Sequence, residues 1–102
     1  MNNAMMYAVF FEARMHSVND QPVGKILELS DPDIIPAQND EEAIKMAFDR
    51  AELIEYLKSL RLNGKESARK LMVRVKTVIR KGDMKDEVVF TPKYKGQFKH
   101  RA

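Results

Sequence analysis

The middle of this chain carries one helical pattern, set between stretches that read as strand. Ile44, Ala47, Phe48, Ala51, Ile54, Leu57 and Leu60 recur at three- and four-residue steps, which gathers apolar side chains into one stripe of an α-helix. Lys45, Asp49, Glu52 and Ser59 fall on the opposite side. Asn39 or Asp40 can cap the start, with Glu42 at capping-box distance from Asn39, and acids at 40–42 suit the positive end of the helix dipole. Asn63-Gly64 is a C-terminal stop. A helix of this extent, over about 30 Å long, has one apolar face that must be covered, and a small sheet is what the flanking sequence offers.

Met5-Met6-Tyr7-Ala8-Val9-Phe10-Phe11-Glu12-Ala13 is apolar, aromatic and β-branched, and greasy at both odd and even positions. That predicts a central strand. Met15 to Pro22 reads as a polar turn or hairpin loop that includes His16, and Val23 to Leu29 as a second strand closed by Ser30-Asp31-Pro32-Asp33. Ile34-Ile35-Pro36 is at most a short edge segment, because a proline donates nothing to a ladder. Residues 66–81 fit both period two and period 3.6. The β-branched run Val73, Val75, Thr77, Val78, Ile79 favours a strand. The other reading makes this stretch a second helix. A Gly-containing turn, Lys81 to Asp86, then leads to Glu87-Val88-Val89-Phe90-Thr91, completing a hairpin.

The expected fold class is therefore α+β: a small, mainly antiparallel sheet in chain order β-β-α-β-β with one long amphipathic helix packed on one face. The helix is expected to bury Ile44, Phe48, Ala51, Ile54 and Leu57. One domain over residues 1–92 is expected, followed by a basic, flexible tail at 93–102. At 102 residues the chain supports one core and not two. Without cysteine it has neither disulfides nor thiolate metal sites. Its longest uncharged apolar run, Ala4 to Phe11, is eight residues, far short of the roughly 20 of a membrane helix. No secretory signal is legible at Met1-Asn2-Asn3, so a cytoplasmic location is expected.

Charge is split along the length. Residues 1–60 hold 5 Lys/Arg and 11 Asp/Glu, net −6, and residues 61–102 hold 13 and 4, net +9. Such asymmetry points to a polyanion, an acidic protein surface, or neutralisation of one half by the other. In the strand reading, Lys70, Arg74, Lys76 and Arg80 share one face, on which alternate positions stand about 6.5–7 Å apart, close to the phosphate repeat of one nucleic-acid strand. In the tail, Tyr94 and Phe98 between cations suit base stacking. The candidate binding residues are Arg69, Lys70, Arg74, Lys76, Arg80, Lys81, Lys93, Tyr94, Lys95, Phe98, Lys99 and Arg101. A charged outer strand face also serves solubility and blunts edge pairing without any partner.

Chemistry is not written into the sequence. The two histidines, His16 and His100, have no metal-ligand spacing, and four scattered glycines make no phosphate cradle. No catalytic residue, metal or cofactor is expected. The order Tyr7-Ala8-Val9-Phe10-Phe11-Glu12, Pro32-Asp33, Glu41-Glu42-Ala43-Ile44 with Ala47, Ala51 and Tyr56-Leu57 resembles HicB-type antitoxins over residues 5–60. That family's Gly-rich segment is absent and its spacing is longer, so the likeness is one of ββα architecture. The leading expectation is a small non-catalytic accessory protein that binds nucleic-acid backbone. The alternative is an inhibitor or antitoxin-like module whose basic half docks on an acidic protein, with a homodimer also open, and the third is a small nuclease.

Overall fold

A computed structural model describes residues 4–17, 22–62 and 69–94. Six elements follow in order: β1 (Met5–Ser17), β2 (Pro22–Glu28), β3 (Asp33–Ala37), α1 (Asp40–Leu62), β4 (Arg69–Arg80) and β5 (Glu87–Phe90). All strand pairs are antiparallel. The α+β class is as expected, with one more strand than the sequence showed. β1 is central: β4 lies along one edge, while β2 and β3 share the other, opposite residues 12–16 and 5–9. Its 13 residues, at about 3.3 Å each, account for most of the molecule's 48 Å long axis.

Pro36 enters β3 without breaking it. Met6 turns its carbonyl to the β4 side, where Lys81 N–H donates to it at 2.8 Å. Met6 and Pro36 face each other as a non-hydrogen-bonded pair, and the missing proline N–H points to the outer edge. β1 also runs further than the polar sequence suggested. His16 belongs to it, opposite Pro22, and is only 3% exposed. Pairing to β2 as far as His16 and to β4 as far as Ser17 carries the strand into the stretch read as a loop, whose residues 18–21 lie outside the described ones.

The helix begins as read. Asn39 Oδ1 accepts the Glu42 N–H at 2.8 Å, and the Glu42 carboxylate reaches back to the Gln38 N–H at 3.2 Å. That is a capping box with its return bond one residue early. The buried line of α1 differs from the expected one. Ala43, Ala47 and Ala51 are fully buried, Phe48 and Ile54 pack partly against the core, Ile44 is half-buried, and Leu57 is 51% exposed. The sheet supplies the bulk, through Tyr7, Val9, Phe11, Val73, Val75 and Val78. Three alanines let the helix axis lie close to it, and Leu57 falls to one side of the 43–47–51–54 line.

Of the three irregularities in the strand pairing, two bear on β1 and its neighbours. Phe10 pairs with Thr77 but Phe11 with Val75, so Lys76 is an extra residue in β4. A one-residue bulge reverses inside and outside. Val73 and Val75 point to the core before it, and Val78 after it. Between Ala13–Leu27 and Met15–Val23, three residues of β2 oppose one of β1, and Gly24 sits there at φ +80°. Space is open around a Cβ at Gly24, so the conformation alone sets the cost. Gly24→Ala is expected to lose about 1 kcal/mol, seen as a melting point about 5 °C lower.

Candidate functional site

The bulge at Lys76 breaks the expected row of cations. Arg74 stays on the sheet face away from the helix, opposite Glu12, whereas Arg80 pairs with Tyr7 on the helix face. Arg74, Lys76 and Arg80 therefore do not share one face, a correction to the even spacing read from the sequence. The cations are also engaged. Arg74 Nε donates to Glu12 Oε1 at 2.7 Å, with side chains only 12% and 16% exposed, and the guanidinium lies 4.1 Å from the Tyr94 ring centroid. Lys76 pairs with Glu28. Arg80 takes both oxygens of Asp40 at 3.0 and 2.9 Å and Glu87 at 2.6 Å. Lys81 holds Asp86 at 2.8 Å.

Glu12, Glu28 and Asp40 come from the acidic half of the chain and Arg74, Lys76 and Arg80 from the basic half. Much of the charge split is thus closed inside the fold. Lys93 is exposed and Tyr94 half-buried; the Tyr94 hydroxyl donates to the Val75 carbonyl at 2.8 Å. Tyr94, the second residue of the stretch read as a tail, is thus held against β4. Arg69 and Lys70 start β4, but their side chains, with all of Lys95, Phe98, Lys99 and Arg101, lie outside the described residues.

One polar node joins sheet and helix. The Tyr7 hydroxyl donates to Asp40 Oδ1 at 2.6 Å, beside the Arg80 pair. Burial first, and then the Asp40 carboxylate, push the Tyr7 phenol up to about 12. Burial likewise pushes Tyr94 up to about 12. The hydrogen bond from Tyr7 above all, with Arg80 behind it, holds the Asp40 carboxyl below its ordinary value. Both tyrosines are raised on folding from about 10. Their stabilisation is full below pH 10 and is lost as pH climbs through about 12. Tyrosinate absorbance should therefore show two ionisations delayed to about pH 12, or released together with alkaline unfolding. Asp40, held low, stabilises above about pH 4 and loses that effect as pH falls.

The face of the sheet opposite the helix carries a feature the candidate list lacks. Ile34 of β3 faces Ala8 of β1, Ala8 faces Ile79 of β4, and Ile79 faces Val88 of β5. Cross-strand partners share a face, so four apolar residues form a row across four strands. Met6 and Phe10 stand above and below Ala8 in β1, two residues away on the same face. Ala8 itself is buried, 4% exposed, between the larger Met6, Phe10, Ile34 and Ile79, while Met6, Ile34 and Val88 are 43%, 53% and 63% exposed. No described helix covers this side: α1 packs on Val9, Val78 and their neighbours. The sequence did hold a signal for it, in the greasy even-numbered positions of β1.

Among the described residues, no three acidic or histidine side chains converge on a metal position, and no helix is long and apolar enough to cross a membrane. No protein-family model, curated protein or solved structure matches the chain. The reading of its role rests on geometry.

Proposed function

We propose that the protein is a non-catalytic binding module that docks on another protein through the sheet face opposite the helix. The observation that carries this is the row Ile34–Ala8–Ile79–Val88 with Met6 and Phe10 beside it. The row crosses four strands, about 15 Å from β3 to β5, and Met6 and Phe10 widen it along β1; a contiguous apolar surface of this kind marks a protein interface.

The partner surface fits best with an apolar centre and an acidic periphery. On the same sheet face the patch runs into Arg74 and Lys76, and the exposed Lys93 follows β5. Because Arg74, Lys76, Arg80 and Lys81 already hold carboxylates, binding is led by apolar contact and charge sets orientation. The same pairs are why a backbone-binding role along β4 is the weaker reading: a phosphate would have to displace a carboxylate already in place.

Capture from native extract with and without nuclease is the test. The expected result is a protein retained in fixed ratio to the bait after nuclease treatment, and held with little change as salt rises. Loss of the captured material on nuclease treatment overturns the proposal. So does affinity falling with salt at a log–log slope of several units, near −0.9 per phosphate contacted.

A further inference from the structure

One edge of β4 is closed by side chains where a strand would otherwise lie. β5 pairs with β4 only at Val78–Arg80, and Pro92, without an N–H, follows shortly after β5 ends at Phe90. From Leu71 to Val75, β4 has no second strand among the described residues. Two of its outward main-chain groups are nevertheless occupied. Val73 N–H donates to the Glu55 carboxylate of α1 at 2.7 Å, and the Val75 carbonyl accepts the Tyr94 hydroxyl at 2.8 Å. Residues 73 and 75 are the pair that an added antiparallel strand would bond, since alternate residues of a strand turn both their groups to the same edge.

We infer that the Leu71–Val75 edge of β4 is a strand-addition site held shut by Glu55 and Tyr94, and that it takes an extended peptide segment combining acidic and apolar residues. The two guards come from different elements, so each can be withdrawn without unfolding the other. The nature of the occupant follows from what β4 already pairs with. β5 and the residue before it read Asp86-Glu87-Val88-Val89-Phe90. They set acids against Lys81 and Arg80, and Phe90 packs its ring edge-on against Phe48 at 5.9 Å between centroids. Further along, withdrawing Tyr94 uncovers the Arg74 guanidinium that its ring covers. A second copy of β4 suits this edge poorly, because antiparallel pairing about Arg74 sets like charges opposite one another. Main-chain bonding with alternate side chains read by the neighbouring strand is the general mode of strand addition. This edge is separate from the apolar sheet face, and the inference does not depend on that face being a docking surface.

The probe is a six-residue peptide with the sequence of residues 86–91, Asp-Glu-Val-Val-Phe-Thr, titrated into ¹⁵N-labelled full-length protein. Glu55→Ala with Tyr94→Phe removes both guarding bonds and leaves the aromatic ring on Arg74. Each lost hydrogen bond is worth about 1 kcal/mol, so the double variant should bind the peptide at least about tenfold more tightly than the unmodified protein. The largest amide shifts should fall at Val73 and Val75. Tyr94→Phe alone, the milder change, should give a gain of about fivefold. A control peptide, Lys-Lys-Val-Val-Phe-Thr, should bind about tenfold more weakly, by loss of the charge pairing. Equal affinity with and without the guards, shifts centred away from β4, or equal binding of the lysine peptide overturns the inference.

Discussion

Replacing Arg74 with alanine is expected to lower stability by about 3 kcal/mol, or about 15 °C in melting temperature. Arg74 and Glu12 are 12% and 16% exposed at a separation of 2.7 Å. Removing the cation strands a carboxylate in a site with little water, and most of the cost comes from that uncompensated charge. The Tyr94 ring also loses the guanidinium stacked on it, a contact of about 1 kcal/mol. Replacing both partners with apolar residues, as in Glu12→Leu with Arg74→Met, should come back to within about 1 kcal/mol of the parent. Urea unfolding of the single and double variants measures this. A single-variant loss below about 1 kcal/mol would show the pair to be an ordinary surface contact.

Ala47→Leu should be nearly as damaging, by about 2–3 kcal/mol through overpacking. Ala47 has no exposed surface, and with Ala43 and Ala51 it forms the line on which the helix meets the sheet. A larger side chain there pushes the helix away from Val73, Val75 and Val78 and loosens the Asp40–Arg80 pair at its N-terminus. The same change at Leu57, half exposed, is already present in the natural residue and costs nothing. Tolerance of Ala47→Leu within about 0.5 kcal/mol would mean that the helix does not sit so near the sheet.

These two sites mark where the sequence was readable and where it was not. The helix start was legible because caps are local: Asn39 and Glu42 act within a turn or so of where they stand. β4 was legible from its β-branched run, and the central place of β1 from its two apolar faces. The bulge at Lys76 was not, because nothing in Val75-Lys76-Thr77-Val78 distinguishes a regular strand from one with an extra residue. That single residue moves Arg80 to the helix side and dissolves the row of four cations. The helical periodicity gives Glu55 no partner beyond its own helix, whereas its carboxylate accepts the Val73 N–H across a separation of 18 residues. Side-chain partners that distant leave no local trace. The apolar outer face was present in the even positions of β1, but it takes the strand register to bring Ile34, Ile79 and Val88 into line with Ala8.

The most direct test of the docking surface is to place charge on it. Ile34 and Val88 are more than half exposed, so Ile34→Lys with Val88→Lys should cost about 1 kcal/mol or less per site in folding. The pair adds two cations to the apolar row. An apolar docking face must then lose its partner, whereas a face that attracts nucleic acid must gain affinity for it. Nuclease-treated capture by the double variant, compared with the parent protein at equal folded concentration, reads the sign. The protein partner is expected to be lost. Undiminished capture of that partner, or stronger retention of nucleic acid in the untreated extract as the main change, would contradict the account.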